Sequence, residues 1–472
     1  MTIELLLAHA DTCQPALHPG LDDAALQCPP LPELPPRPKR LWDALGDLDD
    51  LPAQRWGIVY PRGPAGERLL ELISPLSELR QREQGGAEVR TYPVAPGMDR
   101  EQSHRWKARE FGTEDVEDPE RPRYLLVLGD LDAVSLEFQQ VLATDALVGR
   151  LAFPSDEGYR AYVAKVLRWA DAPAPTDRAR LLFYTARDNT SATDVGYRKL
   201  VEPCIASSLE RQRRGALQME PPLSLADDGH GKGSVIDRFL AHAAGAGPAV
   251  LLSLSHGLGA PEGGWRSTEH QRALQGALLL PGHARLTAAE VADRPFLVGG
   301  VWFCFACFSG GTPARSAYAP WLREIDPREA ERVTALMPRT GERPFIAALP
   351  QAALANPEGP LAVVGHVDLA WTASFSDQGR GRHSRFVGVL QALARGKRAG
   401  PALYSLLRFA NESGSALASS YHQERTALVA GQTPRTGDAE RAHLWLLYHD
   451  LAGHVLLGDP AVRLPLGRRG QR

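Results

Sequence analysis

The chain has 472 residues, too many for one ordinary core, so two or three domains or one large multilayer unit are expected. Apolar residues make up 43% and charged residues 23%, an ordinary balance for a soluble globular protein. A net charge of −3 gives no attraction to nucleic acid or to an anionic membrane, which argues against both as partners.

The first residues, Met1-Thr2-Ile3-Glu4, carry no basic region, and Leu5-Leu6-Leu7 is too short for a secretory signal core. No apolar run approaches bilayer length. Cysteines at 13, 28, 204, 304 and 307 are odd in number and irregular in spacing, which fits reduced thiols and not a disulfide framework. The sequence therefore predicts a cytoplasmic protein.

Residues 1–50 read as an irregular arm, because Pro29, Pro30, Pro32, Pro35, Pro36 and Pro38 forbid regular structure. A first α/β region follows over 51–175. Trp56 to Tyr60 reads as a strand, Glu67 to Gln84 as a helix, Tyr124 to Asp130 as a buried strand ending in a turn, and Asp156 to Trp169 as a helix. The spacer from Asp171 to Asp177 opens a second region over 176–472. Its expected strands are Arg180–Ala186, a weak one near Ala216–Met219, Ala249–Ser255, Leu297–Ala306, Pro344–Leu349 and Leu361–Gly365. Its helices fall at Val195–Arg213, Val235–Ala244 and from about 383 to 455. Alternating strands and helices imply a mostly parallel sheet covered on both faces, an α/β fold.

In such a sheet, ligands bind beyond the carboxyl ends of the strands. His256 and Cys307 each sit just after an apolar strand, at that edge. A thiolate is the nucleophile of a cysteine hydrolase, and an imidazole lowers the thiol pKa or takes its proton. Gly257 leaves room for substrate, and its N–H with that of Cys307 forms a candidate oxyanion hole. Gly310 and Gly311 permit the tight turn that presents the nucleophile.

A strand ending Ser-His-Gly, then one ending Ala-Cys-x-Ser-Gly 51 residues later, resembles the caspase–gingipain–separase group of cysteine peptidases, clan CD. Four stretches are similar to its bacterial CHAT and gingipain-like branches: Tyr124 to Asp130, Phe138-Gln139-Gln140, Val148-Gly149-Arg150 and Leu456 to Ala461. The likeness covers roughly 120 to 465. It implies a caspase-like sheet preceded by a smaller, gingipain-like α/β subdomain. The implied activity is a thiol endopeptidase acting on protein or peptide substrates without cofactor or metal, in the manner of a regulated protease of bacterial defence or cell death. The sequence names no regulatory protein partner. Caspases carry Gln, and metacaspases Asp, two residues before the cysteine; here Phe305 stands there.

In this group the residue that reads the P1 side chain follows the first core strand, the place of Arg187-Asp188-Asn189. A carboxylate there selects Arg or Lys and a guanidinium selects Asp. Likeness to the gingipain branch favours Asp188 and a basic P1, with Arg187 and Asp194 as alternatives and a surface ion pair as the plain reading. Cys304 lies inside its strand and reads as core, and Cys304-x-x-Cys307 lacks a second pair for a metal site. His366 also follows a strand and competes as base, but it comes after the cysteine and reads as structural. His230 lies in a Gly-rich loop that misses the phosphate-loop spacing. The rival class is a non-catalytic module that uses the same cleft to hold a peptide.

Overall fold

The computed structural model describes residues 2–17, 19–22, 25, 46–112, 120–245, 247–339, 341–377, 379–431 and 437–467. Its centre is one ten-stranded sheet built as two parallel blocks. The first block runs in the order Arg90–Val94, Trp56–Pro61, Tyr124–Leu128, Leu147–Leu151, His454–Leu457. The second runs Ala362–His366, Val301–Phe305, Ala249–Leu254, Arg180–Ala186, Leu223–Asp227. The blocks meet antiparallel where Ala362–His366 pairs with His454–Leu457. The two expected regions are thus halves of one continuous sheet, and the last strand of the chain lies in the first half.

The central strands read as unbroken apolar runs because they are covered on both faces. Val301–Phe305 shows how. Trp302 packs edge-on against Phe296 at 4.9 Å and beside Phe239 of the Val235–Ala243 helix. Phe303 and Phe305 point the other way, toward Phe386 of the Ser384–Ala394 helix at 5.9 and 5.7 Å. Alternation along the strand therefore buries both faces under helices. Phe305, the departure from the caspase pattern, is core packing.

The stretches that carried the family likeness have structural reasons of their own. Gly149 lies against the Gly458 carbonyl, which a Cβ there would approach to 2.3 Å. Arg150 is 1% exposed and donates to Gln139 Oε1 and to the carbonyls of Gly129, Asp130 and Val134, fixing the turn after Leu128. Asp459 accepts from Trp56 Nε1 at 3.0 Å and pairs with Arg80, tying the end of the chain to the first helices.

Several elements depart from expectation. The helix expected over 67–84 is two, Pro64–Leu72 and Ser74–Glu83, because Pro75 starts a new first turn. The weak strand near 216–219 is instead Leu223–Asp227, with Met219 only bridged to Ala179. Phe345–Ile346 is a two-residue strand outside the main sheet, followed by the Ala348–Ala355 helix. Arg90–Val94, Leu147–Leu151 and His454–Leu457 are strands the sequence did not announce.

The arm expected over 1–50 is not irregular throughout. Leu7–His9 is a strand of a second sheet, in the order Leu7–His9, His256–Gly259, Leu278–Leu280, Ala284–Leu286. The proline-rich stretch from 29 to 38 lies outside the described residues. Among the described residues, no helix is long and apolar enough to cross a membrane.

Candidate active site

Four strands of the second block share a direction, so their carboxyl ends deliver 187–190, 255–257, 306–308 and 367–371 to one edge of the sheet. His256 and Cys307 arrive there together. Gly257 shows how closely, because a Cβ on it would lie 1.9 Å from the Cys307 carbonyl oxygen and 3.1 Å from its nitrogen. Only glycine allows this strand end to rest on the cysteine backbone.

The turn after Cys307 is carried by Phe308, at φ +57°, with its N–H on the Asp368 carbonyl at 2.9 Å. A bulky residue in the left-handed region is costly and persists only where its surroundings hold it. Gly310 and Gly365 allow the close approach of the next strand, since a Cβ on Gly365 would lie 2.7 Å from the Gly310 nitrogen.

His256 is fully buried. Its Nε2 lies 2.9 Å from Thr190 Oγ1 and 3.6 Å from Asp188 Oδ2. Asp188 Oδ1 accepts from the hydroxyls of Thr190 at 2.8 Å and Thr193 at 2.6 Å. The Thr190 proton is therefore committed to the carboxylate, and its oxygen accepts from Nε2–H. This direction of bonds places the ring proton on Nε2 and leaves the lone pair on Nδ1. Nδ1 is buried and has no hydrogen-bond partner. Burial pulls the imidazole pKa down, while the Asp188 carboxylate opposes that shift.

Cys307 is likewise fully buried. Its Sγ accepts from the Ala370 N–H at 3.2 Å and donates to the Ala370 carbonyl at 3.6 Å. Burial pushes its thiol well above the ordinary range, with the Ala370 N–H pulling the other way. The segment after His366 that presents Ala370 is held by two buried carboxyls. Asp368, at φ +90°, accepts from the N–H of Ala317 and Leu369, and Asp450 accepts from those of Trp371 and Ser374. Burial lifts both carboxyls to about 7.

The N–H groups of Gly257 and Cys307 converge on one oxygen, the carbonyl of Leu6, at 2.8 and 3.2 Å. Two backbone donors aimed at one oxygen are the arrangement an oxyanion hole requires.

The other residues singled out from sequence divide clearly. Arg187 donates to Asp194 at 3.0 Å and lies over the Tyr197 ring at 4.9 Å, and Asp194 also pairs with Arg198. All three belong to a half-exposed ion-pair network beside the cleft. Asp188 faces the imidazole. His366 is buried, with Nδ1 3.2 Å from the Asp368 carbonyl and Nε2 2.9 Å from the Asp450 carbonyl; burial keeps the ring neutral, so its single N–H donates to one of these backbone oxygens. Cys304 lies within the core strand with its thiol raised to about 12, chiefly by burial. Thr190, Ala370 and the segment 3–9 were not singled out. The Asp-x-Thr-x-x-Thr spacing over Asp188, Thr190 and Thr193, read as an Asx-type turn at a helix start, is the signal that points to Thr190.

No family profile matches the chain, and no curated protein sequence matches it. Solved structures are similar in fold. One described as the structure of a protease has a TM-score of 0.50 at 13% identity, over 89% of this chain and 80% of that one. The Arg-specific cysteine proteinase gingipain R gives 0.49 at 13% identity, over 90% and 80%. The complex of the pro- and mature domains of RgpB from Porphyromonas gingivalis gives 0.47 at 14% identity, over 87% and 79%. At such identity the likeness is one of fold, a mixed α/β architecture with a large sheet flanked by helices.

Proposed function

We propose that the chain is a cysteine endopeptidase in which Cys307 is the nucleophile and His256 its acid–base partner. The observation that carries this reading is the convergence of the Gly257 and Cys307 N–H groups on a single peptide oxygen, beside an imidazole whose Nδ1 lone pair is free.

With substrate in the cleft, Nδ1 takes the thiol proton and Sγ attacks the peptide carbonyl carbon. The oxygen gains charge where two N–H donors already point, which lowers the barrier without reorganisation. The imidazolium then protonates the leaving amine, and the thioester is hydrolysed by water that the same ring activates. Thr190 and Asp188 hold the ring through Nε2 and offset its positive charge. The basic P1 preference expected from the sequence drew on that same carboxylate; turned toward His256, Asp188 is proposed instead as the positioning residue of the dyad. No metal or cofactor enters these steps. The mechanism needs a reduced thiol, which suits a cytoplasmic setting. By analogy with CHAT proteins alone, the enzyme belongs among regulated proteases of defence or cell death.

The test is hydrolysis of a randomised peptide library by the purified protein and by Cys307→Ala and His256→Ala. Cleavage lost in both variants supports the proposal, and cleavage surviving in Cys307→Ala refutes it. The filled cleft favours a second reading, a non-catalytic module that grips an extended peptide. Peptide binding without cleavage by any form of the chain would select it.

A further inference from the structure

The oxygen in the oxyanion site belongs to this chain. We propose that the segment Glu4–Leu7 is a built-in substrate mimic that closes the cleft, with Leu6 in the P1 position and its carbonyl oxygen between the Gly257 and Cys307 N–H groups. The inference rests on the reading of that edge as a peptide-binding cleft and adds how the cleft is regulated.

The backbone contacts are those of an extended peptide added to a sheet edge. Leu6 N–H donates to the Ala370 carbonyl at 3.3 Å, Thr372 N–H donates to the Glu4 carbonyl at 3.2 Å, and Leu5 bridges antiparallel to Trp371. Glu4 N–H adds a bond to Thr372 Oγ1 at 3.2 Å. Beyond Leu6 the segment turns onto the other wall, where Leu7–His9 runs parallel to Gly257–Gly259. One strand thus spans both sides of the catalytic pair, and the Leu6–Leu7 bond lies where a scissile bond would.

The segment is anchored outside the cleft as well. Ile3 and Leu21 exchange two backbone hydrogen bonds, and Ala16 N–H donates to the Leu7 carbonyl at 2.9 Å. Leu5 and Leu7 line an apolar cavity with Trp371, Leu322, Val333 and Leu336. The consequence for chemistry is direct. With the strand in place, His256 and Cys307 have no exposed surface, so neither a second peptide nor water reaches them. The thiol makes both its hydrogen bonds to Ala370, and the dry surroundings favour the neutral forms of both groups. The closed state is inert, so turnover comes only from the fraction of molecules whose segment has left.

Alkylation of Cys307 tests this without relying on hydrolysis, so it stands or falls separately from the peptidase reading. Two full-length variants release the strand by different means. Leu6→Pro removes the N–H that meets Ala370, and the Leu5→Asp/Leu7→Asp double variant places charge in the apolar cavity. Labelling follows the open fraction, so both variants should react with iodoacetamide at Cys307 on the order of a hundredfold faster than the parent. Cys304 should stay unlabelled in all three, which reports an intact core. A synthetic peptide of residues 2–10 added in excess should restore slow labelling. Rapid labelling of Cys307 in the parent would overturn the proposal. So would equal labelling in parent and variants, or open variants that the peptide leaves unprotected.

Discussion

Gly257→Ala isolates the contact on which the site geometry depends. A Cβ at 257 would lie 1.9 Å from the Cys307 oxygen and 2.8 Å from its carbonyl carbon. Ordinary carbon contacts begin near 3.5 Å, so one backbone must retreat by more than about 1 Å. The Cys307 backbone has nowhere to go, because its N–H is held by Leu6 and the next residue is locked at φ +57° with its N–H on Asp368. Overpacking against a fixed backbone costs about 1–3 kcal/mol, enough to lower Tm by about 1–3 °C in a chain of this length. A displacement of this size between nucleophile and imidazole should also cut turnover of a library-selected peptide on the order of a hundredfold. Gly259→Ala is the control. Its nearest contacts are the ends of two flexible side chains, Leu7 Cδ1 at 2.9 Å and Leu336 Cδ2 at 3.1 Å, which can turn aside at a cost under about 1 kcal/mol. Thermal melting and peptide hydrolysis of both variants give the comparison. Parental Tm and turnover in Gly257→Ala would refute the placement of the His256 strand end on Cys307.

Asp188→Asn should lower kcat on the order of a hundredfold with KM and the P1 preference unchanged, since it weakens the hold on Nε2 without touching substrate. A shift in P1 preference in steady-state assays would make Asp188 a substrate reader instead. The pH dependence of Cys307 alkylation in the parent has a definite sign. A thiol pushed above its usual range reacts through a small thiolate fraction, so the rate should climb about tenfold per pH unit from 7 to 9. A plateau below pH 8 would mean a stable thiolate–imidazolium pair and contradict the closed state. Asp450→Ala leaves the buried N–H groups of Trp371 and Ser374 unpaired. It should destabilise by about 2–5 kcal/mol in denaturant titration, and a loss below 0.5 kcal/mol would show that neither bond holds the Ala370 segment.

Much of this architecture was legible because the middle of a parallel sheet writes itself as apolar runs. Tyr124–Leu128, Arg180–Ala186, Ala249–Leu254 and Val301–Phe305 stand out for that reason, and they carry His256 and Cys307 to one edge. Strands without an unbroken apolar run were silent. Arg90–Val94 holds Arg, Thr and Pro at the sheet margin, and Leu147–Leu151 contains a glycine and a buried arginine whose partners lie on a distant turn. Asp188 was legible as a residue of that sheet edge but its direction was not, because that depends on Thr190 and Thr193 further along the chain. The segment 3–9 was the least legible. Three leucines are too few to signal a strand, and the groove that receives them comes from residues about 250 and 365 positions later, which no local pattern can announce.

In the proposed mechanism Cys307 attacks a peptide carbonyl with help from His256. A peptidyl acyloxymethyl ketone, which needs both a bound peptide backbone and an activated thiol, tests it in the opened Leu5→Asp/Leu7→Asp chain. Mapping the adduct by tandem mass spectrometry should find one reagent per chain on Cys307 and none on Cys13, Cys204 or Cys304. His256→Ala should slow the reaction on the order of a hundredfold. Modification at Cys304, or a rate at Cys307 indifferent to the loss of His256, would contradict the account.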